Sequence, residues 1–499
     1  MKAKAVMIQG TSSDVGKSML ATALCRHFSN AGFRVAPFKS QNMALNSFVT
    51  TSGGEIGRAQ GVQAEAARVD ATTDMNPILL KPKHDMMSEI IVHGKHHLDM
   101  TARDYRHKFV DEALPIAEAA IHRLQEQYDV IVLEGAGSPA EINLKARDIA
   151  NMKMAHAADA DVLLVADIDR GGVFASIVGT LALLDDDERA RVKGIIINKF
   201  RGMKELLDDG LVWLEDYTGI PVLGVVPYMN VQIEAEDSLA LSALRFKKPK
   251  RDEFAIDVAV IQLPRISNFT DIDPLMDEPG VGVRFVKTTA DFGKPDVVIL
   301  PGTKSTIDDL RWLRETDLDA CVLQHARQSK PVIGICGGYQ MLGEQLLDPH
   351  AIEGDGRDEL GLALLPITTT FVGEKRTVQM SGTRYGTEDI LTGYEIHLGR
   401  TERTADCAPF LLLDNGRTDG AVCEHVLGTY FHGIFHNRAF TRELVNTWRT
   451  QKGLAPLSEE VQSEKELREQ AYNIAAEHFE QAVDMDKLYR IMGLERVMQ

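Results

Sequence analysis

This chain predicts an α/β protein of two modules in series, and three observations carry that expectation. Short aliphatic runs at 5–9, 130–133, 162–166, 194–198 and 222–226 alternate with longer amphipathic stretches, the pattern of a parallel sheet with helices on both faces. A second series follows at 256–261, 281–286, 296–300 and 332–335, and then β-rich sequence as far as Tyr430. Each series also holds a glycine-flanked reactive segment directly after one of its runs, GTSSDVGKS at 10–18 and the turn around Cys336.

A chain of 499 residues is too long for one ordinary core. The pattern lapses after residue 234 into a charged segment ending in RFKKPKR at 245–251, which reads as a solvated connector. The expected domains are therefore 1–235 and 254–450, joined by a linker at 236–253. A helical extension at 451–499 is expected to pack on the second domain.

The 55 basic and 73 acidic side chains give a formal net charge of −18, which argues against a nucleic-acid partner held by phosphate neutralisation. Five scattered cysteines without a CxxC pair predict neither a disulfide scaffold nor a zinc ribbon. Residues 1–10 read as a strand entering a turn rather than as a signal peptide, and no run of about 18 apolar residues suggests a membrane span. A cytoplasmic protein with reduced thiols and no membrane partner is expected, and a homo-oligomer is compatible with the composition.

The 10–18 segment sits between a strand and an amphipathic stretch, as a phosphate-binding loop requires. Its glycines, Gly10 and Gly16, let backbone amides turn towards a phosphate, with Thr11 and Val15 between them. Lys17 reaches the terminal phosphates and Ser18 can ligate magnesium. Five residues separate the two glycines where the usual loop has four. That spacing resembles the GTxxxVGK[ST] loop of dethiobiotin synthetase and its relatives, which use ATP to activate a carboxylate.

The run at 129–133 delivers Glu134 to the C-terminal edge of the sheet, where open α/β sheets bind ligands, so Glu134 is a candidate magnesium ligand. The run at 195–197 delivers Asn198 to the same edge, where its amide suits either adenine recognition or turn formation. Dense polar turns at 38–46, 75–82 and 167–174 read as ligand loops. In or near them, Lys39, Lys81 and Arg170 are candidates for phosphate or carboxylate binding. Asp148 and Asp169 are candidates for magnesium or for orienting the nitrogen nucleophile, and surface ion pairing is the competing reading for all five.

In the second module, Cys336 lies on a strand-to-helix turn flanked by Gly334, Gly337 and Gly338. A nucleophile on such a turn needs small neighbours, gains from the helix N-terminus and leaves the Gly337 amide free for an oxyanion hole. Far downstream, His432 is its candidate base. The turn LPGTKS at 300–305 can supply the second oxyanion amide, from Gly302 or Thr303.

These motifs, with EGAGSPAEINL at 134–144 and DRGGVF at 169–174, resemble the cobyric-acid-synthase branch of class I glutamine amidotransferases over nearly the whole chain. The resemblance implies a P-loop, dethiobiotin-synthetase-like parallel sheet domain followed by a class I amidotransferase-like α/β domain. It implies ATP and magnesium with no tightly bound prosthetic group, and a corrinoid and L-glutamine as substrates. The implied reaction amidates the b, d, e and g carboxylates of adenosylcobyrinic acid a,c-diamide, using ammonia released at Cys336. One departure stands out: most class I members place a glutamate two residues after the histidine, where this chain has Ile434. Glu395 is the candidate third member, with a Cys-His dyad equally acceptable. The related a,c-diamide synthase and a nucleotide-switched scaffold protein are the competing functions.

Overall fold

The computed structural model describes residues 2–84, 87–231, 233–234, 254–353, 356–405 and 407–495, so the linker expected at 236–253 lies outside the described residues. These residues form two compact units, one from Met1–Ala44, Gly54–Glu236 and Leu467–Gln499, the other from Leu45–Gly53 and Asp237–Glu466.

The first unit is built on six strands, β1 (Lys4–Gly10), β2 (Val35–Phe38), β3 (Val130–Glu134), β4 (Asp161–Asp167), β5 (Val192–Phe200) and β6 (Val222–Pro227). They form one parallel sheet in the order β6-β5-β4-β1-β3-β2. Helices cover both faces, so the central strands are buried almost end to end and read as unbroken aliphatic runs. Register decides what meets at the C-terminal edge. Ile8 pairs with Glu134, Gly10 with Val165, and Asp167 with Asn198.

Two of the expected ligand loops are partly strands. Gln41–Met43 and Ile78–His84 pair in a smaller sheet with Met87–Val92 and Lys95–Thr101. Their polar residues satisfy backbone groups there: the Asn76 amide donates to the Lys39 and Ile78 carbonyls at 2.9 and 3.0 Å, and its oxygen accepts from Gly57 N–H.

The chain's last helices depart from expectation. From Leu467 onward they belong to the first unit, not the second. Helices α2 (Glu464–Ala482) and α3 (Met485–Met492) bury Tyr472, Phe479, Leu488 and Tyr489 in the same core as Val6, Ile8 and Val165, beside α1 (Lys17–Asn30). Arg26, fully buried, is held by both oxygens of Glu469 at 2.9 Å, and His27 by Glu480 and Tyr489. Helical spacing reveals that one face is apolar but not which body covers it.

In the second unit, β7 (Ile256–Ile261), β8 (Val281–Val286), β9 (Val297–Leu300), β10 (Val332–Ile335), β11 (Ala421–Cys423) and β12 (Val426–Thr429) form a sheet ordered β8-β7-β9-β10-β12-β11. All pairings are parallel except the β11–β12 hairpin. A long hairpin, Ile367–Arg384 with Ile390–Arg403, supplies the β-rich region. The segment at 45–53 also joins this unit, which the contiguous 1–235 domain did not anticipate. Asn46 and Asn268 exchange side-chain hydrogen bonds with backbone amides at Phe269 and Ser47, and Gln379 donates to the Val49 carbonyl.

Candidate active site

The second unit gathers its chemistry at the C-terminal ends of adjacent strands, because Leu300 pairs with Gly334 and Gly334 with Gly428. β10 ends at Ile335 and the helix Gly337–Met341 begins two residues later, so Cys336 carries the reversal alone. Its φ of 53° and ψ of −109° lie where a non-glycine residue pays about 1–3 kcal/mol. Close neighbours fix the turn: a Cβ on Gly338 would stand 2.0 Å from the Leu300 carbonyl oxygen, and one on Gly337 2.6 Å from Thr303 Cγ2. The Cys336 amide donates to the Thr429 carbonyl at 2.8 Å, and its Sγ lies 3.4 Å from the Ile396 carbonyl.

β12 runs on through Tyr430 and Phe431 into His432, which is fully buried. His432 Nδ1 lies 2.6 Å from Asp271 Oδ2, while Asp271 Oδ1 accepts from the Gly433 amide at 3.0 Å. With Nδ1 committed to the carboxylate, Nε2 is left for Cys336 and has no other hydrogen-bond partner. Burial alone disfavours the imidazolium, but the charges of Asp271 and Cys336, with hydrogen bonds to both, outweigh it and raise His432 to about 10. The other histidine nearby is tuned oppositely. His397 gives Nδ1 to the Gly399 carbonyl at 2.7 Å and stacks on Tyr430, and burial pushes it down to about 3.

Glu395, the candidate third member, pairs with Arg376 and His397 rather than with His432. Tyr394 pairs with His432 across an isolated bridge and stacks on its ring at 5.1 Å. Side chains alternate along a strand, so the next residue, Glu395, points away and is ion-paired with Arg376 instead. The carboxylate that meets the His432 ring is Asp271, from the short helix Phe269–Ile272 that follows β7.

The turn at 300–305, the candidate source of the second oxyanion amide, is held by a buried acid. Thr303 Oγ1 donates to Asp309, which also accepts from the Arg265 amide at 3.1 Å, and burial raises Asp309 to about 7. The Thr303 amide nitrogen lies 3.2 Å from where a Gly337 Cβ would stand, so it faces the Cys336–Gly337 turn. Gly302 packs instead against the His432 ring, with a Cβ there 3.0 Å from Cε1.

In the first unit the phosphate loop closes tightly. A Cβ on Gly10 would meet the buried Val15 at 2.6 Å, and the Thr11 amide donates to the Val165 carbonyl. Gly16, with φ of 97°, opens α1. Lys17 Nζ folds back onto the Ser12 and Gly137 carbonyls at 3.0 Å each. Ser18 Oγ stands 2.9 Å from Glu134 Oε1, a pair of hard oxygens suited to magnesium. Glu134 is 1% exposed and also accepts from Lys39 at 3.0 Å and Gln63 at 2.6 Å.

Asn198 donates to the Val15 carbonyl at 2.8 Å, so its amide braces the phosphate loop. Lys81 is buried in a 2.6 Å pair with Glu55. Asp148 caps its own turn, accepting from the Ala150 amide and Asn151, and burial raises its pKa. Asp169 pairs with Arg201, and the exposed Arg170 reaches Asp14 of the loop at 3.3 Å. Sequence reasoning passed over three residues that the fold brings in: Asp271, Gln63, and Asp167, which is buried at the end of β4 and paired with Lys199 at 3.0 Å. Asp167 alone carried a signal, ending an aliphatic run as Glu134 does.

Fold and geometry together define a class: a P-loop nucleotide-binding domain fused to a glutamine amidotransferase domain. Residues 6–239 match the CobQ/CobB/MinD/ParA nucleotide binding domain, and residues 257–440 the CobB/CobQ-like glutamine amidotransferase domain. The chain is 52% identical to the cobyric acid synthase of Anoxybacillus flavithermus, over 98% of this chain and 97% of that one. It is 50% identical to the cobyric acid synthase of Desulforamulus reducens, over 99% and 98%. The chain belongs to the cobyric acid synthase family and is an amide-forming ligase. Among the described residues, no helix is long and apolar enough to cross a membrane.

Proposed function

We propose that this enzyme makes adenosylcobyric acid by amidating the b, d, e and g carboxylates of adenosylcobyrinic acid a,c-diamide. The Cys336, His432 and Asp271 line carries the reading, because it is a nucleophile, base and orienting acid in one chain with a phosphate loop. Cys336 attacks the glutamine amide as the thiolate partner of the His432 imidazolium, and His432 Nε2 protonates the departing ammonia. Asp271 fixes the ring and its charge at Nδ1. The amides of Gly337 and Thr303 face the developing oxyanion, and water then releases glutamate.

In the first unit, ATP with magnesium would supply the phosphoryl group that activates each carboxylate as an acyl phosphate, from which ammonia displaces phosphate. Lys17 and the loop amides would hold the phosphates, and Ser18 and Glu134, whose oxygens lie 2.9 Å apart, would hold the metal. Asp167 stands at the same edge, and Lys39, bonded to Glu134 at 3.0 Å, lies beside the groups that would hold the metal.

Mass spectrometry of adenosylcobyrinic a,c-diamide with the enzyme, ATP, magnesium and glutamine tests this. Four stepwise acid-to-amide mass changes are expected. No change, with cobyrinic acid itself amidated twice, would assign the chain to the a,c-diamide branch. ATP-dependent self-association without turnover of any corrinoid would move it to the scaffold class.

A further inference from the structure

Two of the five cysteines stand together, outside both sites. Cys423 ends β11, and Cys407 lies just beyond the strand Ile390–Arg403. An isolated bridge pairs Ala408 with Val422, with the Val422 amide donating to the Ala408 carbonyl at 2.8 Å. This bridge aligns the two cysteines. Their Sγ atoms are 2.9 Å apart, and Cys407 Sγ lies 3.3 Å from the Val422 carbonyl, which turns it towards its neighbour. Both residues are half-buried, so a small oxidant can reach them, whereas Cys25 is sealed in the first core.

We propose that Cys407 and Cys423 are a redox modification site that closes to a reversible disulfide. A small disulfide such as glutathione disulfide is the co-reactant. One thiolate attacks it, releasing one glutathione thiolate and leaving a mixed disulfide; the second protein thiolate then displaces the remaining glutathione. An Sγ–Sγ bond forms, the two S–H protons go to solvent or to the departing thiolates, and the reagent's S–S bond takes up the two electrons. Cys407 and Cys423 are 16 residues apart in sequence, so the bond staples the end of the long hairpin to the β11–β12 hairpin, whose second strand leads to His432. Burial, Cys407 and Glu424 together push the Cys423 thiol up to about 11, which suits it to slow, reversible exchange rather than to catalysis.

The test is to equilibrate the full-length protein in a series of glutathione to glutathione disulfide ratios, block free thiols by alkylation, digest with trypsin and map the peptides. Cleavage after Arg403, Arg417 and Arg438 puts the two cysteines on separate peptides, 404–417 and 418–438. The expected result is one cross-linked pair of these peptides that grows with oxidant and disappears with dithiothreitol. A Cys423→Ser variant is expected to accumulate glutathione on Cys407 instead, since the resolving thiol is gone. Separate alkylation of both cysteines throughout the series, or the same stable glutathione adduct on Cys407 in wild type and variant, would overturn the proposal. The wild-type map is decisive even if the variant folds poorly.

Discussion

The two candidate sites hold their charges in opposite ways. At the thiol site, a strained turn presents Cys336, and the charges around it are spent on the candidate catalytic pair itself, Asp271 on His432 and His432 on Cys336. At the phosphate site, the charges are spent on each other. Lys17 is folded onto backbone carbonyls, and Ser18, Lys39 and Gln63 all converge on one carboxylate, Glu134. Covalent chemistry on a small amide benefits from geometry set in advance. A site for a polyanion and a cation can keep its groups satisfied internally until the ligand replaces those bonds, since a buried unpaired charge is costly.

The largest effects should separate the two sites. Cys336→Ala is expected to cut glutamine-dependent amidation by about 10³-fold or more while ammonia still supports the reaction. Lys17→Ala is expected to lower turnover by about 10²–10³-fold with either nitrogen source. Steady-state assays with glutamine and with ammonium salts check both. If Lys17→Ala spared the ammonia reaction, the division of labour would be wrong.

Next in size is the orienting acid. Asp271→Asn should lower the glutaminase kcat by about 10²–10⁴-fold and move the alkaline limb of the pH profile, set by His432 near 10, to lower pH. Glu395→Gln should leave that limb in place, because Glu395 bonds Arg376 rather than His432. A pH profile unmoved by Asp271→Asn would return the site to a dyad.

The remaining effects are on stability. Phe479→Ala empties a fully buried site in the first unit's core, so it should destabilise that unit by about 3–5 kcal/mol in denaturant titrations and leave glutaminase activity intact. Loss of glutaminase instead would tie α2 to the second unit. The last effect is a pH slope. His432 is raised above its unfolded value, so its contribution is complete below about pH 6.5 and is lost as pH rises through about 10. Melting temperatures should fall across that window, and Asp271→Asn should flatten the fall.

What the sequence made legible was local. Gly10, Gly16 and Gly337 mark backbone that a side chain would block, so both reactive turns could be placed before any fold was known. The strand runs were legible for a related reason, since burial on both faces writes an unbroken aliphatic run. Asp271 was not, because it meets His432 only once β7, β9, β10 and β12 lie side by side and a short helix ten residues past β7 reaches the ring. Glu395 misled because proximity in a β-rich segment does not reveal which way a residue faces, and Tyr394 decides it. The last helices misled because an apolar stripe at 467–495 fits any core, and the strands that cover it belong to the start of the chain.

The most direct test of two separable activations is to follow adenosylcobyrinic a,c-diamide by mass spectrometry with the Cys336→Ala enzyme, ATP and magnesium, supplying glutamine in one reaction and concentrated ammonium in the other. Amides should accumulate with ammonium alone. Amidation from glutamine by that variant would contradict the assignment of Cys336, and failure with both, by a folded enzyme that still binds nucleotide, would contradict the separation itself.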